Sequence, residues 1–409
     1  MGLNNTTALG RNQQFIIQPD QSSDTYPTFN QPDNTASNPP AELTILTSSM
    51  SYEQERKNRA DVSQTRDYFE RISGNKTVTW ACESHLLIPD LSSSANRPDW
   101  HWLMQNAMGQ AASSGSGPYV WTYSLTQGQD DSTPLTLLRE LNGVLAESVW
   151  GAMCEEMTIS VAQGDEPKLA FNGVASDYAI TGTTTVSDGS LAAGDTIVTV
   201  ADGYAVTPNS IIKIGSDTGA GNKGFKVTSI SGNDITFTPG LSDPVAVTNG
   251  DAVVPFFDSD IDKSAATLVN GIQGQLDLGS VTDLEVNSFT VTVKNNFKPI
   301  NEAFKATVQD MIPGRRDITG EIVVTGRKDR IELITRRYAF QTDRNMVARF
   351  GGNSSGDEKL TITIAKPEFD FSEVTIPEAE EVTVTLPFTA LATTDTATDA
   401  ISIAVTSVS

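Results

Sequence analysis

Two alternating runs in the last third of the chain, separated by a long polar connection, constrain its fold more than any other feature. Phe289, Val291 and Val293 alternate with Thr290, Thr292 and Lys294, the two-residue period of a strand with one buried face. Ile318, Ile322 and Val324 continue the pattern, with Gly320 between them. The connection from Asn295 to Arg316 is too long for a tight hairpin, which predicts strands joined by an extended arm.

The same design occurs earlier in weaker form. Leu43 and Ile45 lead into Ser48-Ser-Met-Ser-Tyr-Glu-Gln-Glu, then a polar arm from Arg56 to Arg71, then Gly74-Asn-Lys-Thr-Val-Thr-Trp-Ala-Cys. Gly74-Asn-Lys-Thr-Val-Thr lies over Gly314-Arg-Arg-Asp-Ile-Thr. Downstream, each half offers a short helix candidate and paired β-rich runs. Met157 to Val161 goes with Lys168 to Phe171, and Leu360 to Ile364 goes with Val382 to Leu386. The expectation is a mainly β chain carrying a duplicated module, at 41–180 and 257–409. The alternative is the general likeness of antiparallel β sequences.

Between the copies the composition changes. From Gly182 to Val254 the apolar residues are small and β-branched, and Gly or Asp turns recur about every ten residues. Thr196 to Val200, Ile211 to Ile214, Phe225 to Val227 and Ile235 to Phe237 read as short strands of an inserted all-β domain at 181–256, expected to fold independently on an outer surface. Residues 1–40, broken by Pro19, Pro27, Pro32, Pro39 and Pro40, read as a polar arm. Pro98 to Gly109 reads as the first module's helix, and Asp329 to Tyr338 as the second's. Glu368 to Glu381 reads as a solvated acidic loop.

Charge narrows the functional classes. With 28 basic against 51 acidic residues the net charge is −23. That opposes a large favourable contact with nucleic acid, whose affinity comes from Lys and Arg on phosphates. It does not oppose letting nucleic acid pass. Cys82 and Cys154 are too few for a disulfide framework and read as reduced, buried thiols. No secretory signal is visible at the N-terminus, and no apolar run reaches membrane-spanning length.

Motifs that carry chemistry elsewhere fail here on context. Gly219-Ala-Gly-Asn-Lys-Gly matches the dinucleotide fingerprint, yet Phe225-Lys-Val-Thr after it is strand rather than helix. Gly352-Asn-Ser-Ser-Gly lacks the strand and helix a nucleophile elbow needs. Asp258-Ser-Asp-Ile-Asp begins like a calcium loop, but Lys263 replaces the turn glycine and Val269 the bidentate glutamate, leaving at most a weak surface site. His85 and His101 have no partner at metal-ligand spacing. No catalytic residue, cofactor or metal site is expected.

Taken in order, several stretches resemble the phage major tail tube proteins. They are Leu137-Leu-Arg-Glu-Leu-Asn, Trp150 to Val161, Pro167 to Gly173, Phe289 to Pro299, Gly314-Arg-Arg-Asp-Ile-Thr-Gly and Val384 to Leu391. The resemblance covers about 40–178 and 265–409, and the insert departs from the family's minimal pattern. It implies a β-sandwich whose strands join neighbouring copies into a barrel, with rings stacked into the hollow tail of a long-tailed phage. It further implies homotrimeric, pseudo-hexameric rings, with hexamers as the alternative. The implied partners are a tape measure protein, tail terminator and tip proteins, and DNA passing without specific binding. Assembly would begin in the host cytoplasm and end in the virion tail. Arg56, Arg59, Arg315 and Arg316, on the arms, are the candidate inter-subunit contacts. Two rival classes share the strand pattern: an Ig-like surface or adhesion protein, and a carbohydrate-active enzyme with β accessory domains.

Overall fold

The computed structural model describes all residues except 1–12, 21–38, 59–70, 94–95, 117–118, 127–131, 142–144, 190, 220–223, 243–246, 257–265, 270–273, 280–281, 283, 285, 303–304, 309, 326–344, 353–358, 371–373, 376–381 and 408–409. The helix expected at Asp329 to Tyr338, the calcium-like run from Asp258 and the Asn-Ser-Ser-Gly part of the elbow-like motif at 353–356 lie outside the described residues.

The first half contributes β1 (Gln13–Pro19), β2 (Ala41–Leu43), β3 (Thr47–Asn58), β4 (Arg71–His85), β5 (Leu87–Pro89), α1 (His101–Met108), β6 (Gly109–Ser114), β7 (Val120–Leu125), β8 (Leu135–Leu141), β9 (Leu145–Ala162), β10 (Lys168–Ala175) and β11 (Asp177–Thr181). The insert holds β12 (Thr184–Thr185), β13 (Ile197–Thr199), β14 (Ile211–Ile214), β15 (Phe225–Ser231), β16 (Asp234–Thr238) and β17 (Ala252–Pro255). The second half adds β18 (Ala266–Leu268), β19 (Gln275–Leu278), β20 (Val286–Lys294), β21 (Lys298–Ile300), β22 (Asp310–Ile312), β23 (Asp317–Thr325), β24 (Met346–Gly351), β25 (Lys359–Ile364), β26 (Lys366–Phe369), β27 (Val374–Thr375), β28 (Thr383–Leu391) and β29 (Ser402–Thr406).

A long antiparallel sheet runs β3-β4-β10-β9-β20-β23-β28, with β26 and β27 both on the far side of β28. The alternation read at Phe289, Val291 and Val293 fixes its inner face, and all three are buried beside Ile318, Ile322 and Val324. That face packs on a second sheet, β19-β24-β25-β29-β7-β6, within one continuous core. Phe289 and Phe350 meet across the layers at 5.7 Å. The second sheet takes strands from both halves, because β29 pairs β7. The halves at 41–180 and 257–409 therefore do not form separate cores.

Two expectations need correcting. Residues 1–40 are not simply a polar arm: Phe15, Ile16 and Ile17 are fully buried in β1, which lies between β2 and β8. A continuous apolar triplet buried on both faces has no alternation to announce it. Glu368 to Glu381 is not wholly a loop either, since Glu368 and Phe369 close β26 and Val374–Thr375 pair with β28.

The first helix follows its sequence signals. Gly109 ends it at φ 103°, a conformation glycine adopts without strain. His101 is buried at its start, with Nδ1 2.8 Å from the Tyr123 hydroxyl and the ring edge-on to Trp102 and Trp121. Burial, and secondarily the Arg97 guanidinium, holds this imidazole well below the ordinary histidine range. It is therefore neutral in the folded chain. Below about pH 6.5 the unfolded chain takes up a proton that the folded chain does not, so stability falls with pH in that window. Unfolding free energies from urea titration at pH 7 and pH 5 should differ by up to about 2 kcal/mol more in the wild type than in His101→Gln.

Packing within the long sheet also rests on two glycines. Trp80 sits opposite Gly173, whose added Cβ would lie 1.9 Å from the Met153 carbonyl oxygen. Gly320 sits opposite Phe388, and a Cβ there would lie 2.3 Å from the Phe388 ring and 2.4 Å from the Thr290 carbonyl oxygen. Gly320→Ala should cost roughly 1–3 kcal/mol of overpacking strain, read from chemical denaturation.

Candidate assembly surface

The ends of the long sheet come from the two halves of the chain. Among the described residues β3 pairs only with β4, and β26 and β27 pair only with β28. Taken from one end, the first four strands occur in the chain as first, second, fourth and third: β3, β4, β10, β9. The next four, β20, β23, β28 and β26, occur in the same order. At the centre β9 pairs β20, the last strand of one set against the first of the other. Thr158 and Thr292 hydroxyls meet there at 3.0 Å, and Lys294 Nζ lies 2.9 Å from Glu156 Oε2.

Both sets share an irregularity. From Cys154 to Ile159 is five steps, opposite the four from Gly173 to Leu169. From Phe369 to Val374 is again five, opposite the four from Phe388 to Val384. The strand facing β10 thus carries one extra residue as a β-bulge, and the pairing on β28 shows the same five-to-four offset between Phe369 and Val374.

The face turned away from the core is rich in small hydroxyl side chains. One row crosses it through Thr47, Glu83, Ala170, Thr158, Thr292, Thr319, Thr389 and Glu368. Glu53, Glu83, Glu156, Asp317, Glu321 and Glu368 share this face with Lys168, Lys294 and Lys366, an acidic excess of three. Lys294 and Lys366 are paired with Glu156 and Glu368. The face is polar and mildly acidic.

The arms differ in what they touch. The second folds back as the β21–β22 hairpin, burying Phe297, Val308 and Met311 against Met153. The first continues β3 and β4 outward, with Ile72 57% exposed. Arg56 is exposed opposite Ser73, and Arg59 lies outside the described residues. Arg315 is exposed. Arg316, expected at an inter-subunit contact, turns inward: Nε donates to Asn295 Oδ1 at 2.9 Å and Nη1 to the Thr126 carbonyl at 3.3 Å. Asn295 itself is buried and donates to the Ala107 and Cys154 carbonyls. Arg316 thus ties the arm's root to the first half, and burial lowers its pKa.

The insert has its own core, centred on Val198, Ile212, Phe225 and Phe237, but it is not loosely tethered. Asn209 donates to Asp177 at 2.9 Å, Asp177 pairs with Lys76, and Ile211 and Phe256 pack on Trp150. Gly219 and Gly224, the ends of the stretch that matches the dinucleotide fingerprint, lie between β14 and β15 and are both at positive φ, and strand β15 follows.

His85 Nδ1 lies 3.3 Å from Glu166 Oε2, while His101 is a core residue. Among the described residues no group of three His, Cys, Asp or Glu side chains is placed to hold a metal ion, and no helix is long and apolar enough to cross a membrane. Cys82 and Cys154 are free and buried, and burial pushes both thiols up. A cleft of about 270 Å³ opens between the β9–β10 turn and the second sheet, lined by Val161, Leu276, Leu284, Phe289 and Arg349.

Arg316→Met should lower monomer stability by roughly 1–3 kcal/mol, by leaving the buried Asn295 oxygen without its donor. Arg315→Glu should leave the urea midpoint unchanged. Equal midpoints for the two variants would show that Arg316 has no anchoring role. Compared with known proteins, the chain matches no family model and no curated sequence.

Proposed function

We propose that this chain is a structural subunit whose copies join edge to edge into rings, stacked as a hollow tube of the phage tail type. The observation that carries this reading is the order of the long sheet. Its two four-strand sets follow one topology, and its free ends are the two strand types that already pair at its centre. A sheet with exposed edges is a template for further strands, and closure into a barrel satisfies both edges at once. The repeated order and the shared register offset support an internal duplication of one tube-wall module.

The polar, mildly acidic face supports a bore through which DNA slides. Hydroxyl side chains offer no fixed positive charge to phosphate, and the acidic excess repels it. The closed barrel would use three chains, each supplying two positions of a pseudo-sixfold ring. The insert, fixed at the Asp177–Asn209 junction, would then appear three times around the outside. Tape measure, terminator and tip proteins are the partners such a tube requires.

Negative-stain images of concentrated protein should show rings or hollow tubes, with threefold outer protrusions in end-on views. The mass of an isolated ring should equal three chains. Six equal protrusions would replace the trimer by a hexamer, and discrete monomers at all concentrations would overturn the assembly reading.

A further inference from the structure

The junction at the middle of the long sheet gives a residue-level template for the junction at its ends. The shared five-to-four offset matches Gly173 with Phe388, Ile159 with Val374 and Ser160 with Thr375. Trp80 pairs with Gly173 and Gly320 with Phe388, so Trp80 matches Gly320. Large and small side chains have changed places within that pair, as a core that conserves volume allows. Stepping out to the next strand, Ser49, Met50 and Ser51 match Thr290, Val291 and Thr292 through their partners Ala81, Trp80 and Thr79.

At the centre, Thr290 sits opposite Ser160 and Val291 opposite Ile159. We infer that the β3 edge of one chain pairs antiparallel with the β26–β27 edge of a second copy, with Ser49 opposite Thr375 and Met50 opposite Val374. The inference rests on the ring-forming reading above and adds the register, which that reading leaves open.

Three further observations fit. Met50 is buried while Ser49 and Ser51 are exposed, matching the in-and-out phase of Val291 between Thr290 and Thr292. A slip of one residue would turn every side chain to the wrong face. Arg139 Nη1 already donates to the Ser48 carbonyl at 3.0 Å, and from Ser51 onward every residue of β3 except Gln54 is exposed.

The stagger also suits closure. The row from Thr47 passes through Glu83, Ala170 and Thr158 to Thr292, which matches Ser51. The row therefore climbs four residues (47 to 51) on crossing the four strands β3, β4, β10 and β9. One residue of stagger per strand is the ratio found in eight-stranded barrels of shear eight, whose strands tilt by about 36°. A register other than Ser49–Thr375 at the closing junction would break that uniform stagger.

The test uses the full chain carrying Ser49→Cys and Thr375→Cys, oxidised after assembly and run on a non-reducing gel. The buried Cys82 and Cys154 give little background, which the wild type measures. Dimer and trimer bands should form in assembled material, with circular dichroism unchanged from wild type. The pair Ser51→Cys with Thr375→Cys keeps the same face but is offset by about 7 Å along the strand, and should cross-link at least about tenfold more slowly. Faster cross-linking by the offset pair would overturn the register while leaving the ring reading intact. Rings that form with neither pair cross-linking would show that other edges meet. A wild type that never leaves the monomer would overturn the ring reading, and the register with it.

Discussion

Backbone hydrogen bonding along β9 is the constraint on which the rest of this structure depends. Its first part pairs with β8 and β11, and its second with β10 and β20, so one 18-residue strand pairs with strands from both halves of the chain. The transfer occurs at the bulge near Gly173, where the Met153 carbonyl approaches too closely for any side chain. Bulges bend a strand and increase its twist, which redirects the two parts of β9. A side chain at Gly173 would strain the junction that holds the halves together.

Because β9 and β20 join the two four-strand sets into one ladder, the ends of that ladder become the unsatisfied part of the fold. Soluble β proteins ordinarily shorten, charge or cover such edges. Here β3 is long and, from Ser51 onward, exposed except at Gln54, and its arm carries an exposed Ile72. An isolated two-stranded ribbon is marginally stable in water, which makes this stretch the part of the sheet with the least support from the rest of the chain. The second arm provides the contrast, since it is folded back over Met153 and anchored by Arg316.

The insert is built differently. Its core is separate, yet Asp177, Trp150 and their partners fix it to the first half through one polar and one apolar contact. Its orientation is therefore set by the body of the molecule and not by linker length. In an assembly the insert would be presented at a fixed angle, the arrangement expected of a surface feature with steric or recognition duties.

The sequence by itself determined the strands whose one face is buried. Phe289, Val291, Val293, Leu360, Ile362 and Ile364 alternate with polar residues because the pleat points successive side chains to opposite sides, and this survives without tertiary information. It also determined the helix ending at Gly109 and the turn-rich insert. It did not reveal β1, buried on both faces, nor β26 and β27, whose acidic surroundings read as loop. Arg316 looked like any arginine on a polar arm. Only the tertiary structure, by bringing Asn295 and the Thr126 carbonyl to it from distant parts of the chain, turned it inward. The order of the long sheet was likewise beyond local pattern. Alternation fixes which face of a strand is buried, whereas which strand lies beside it is decided by long-range pairing that each strand's own sequence leaves undetermined.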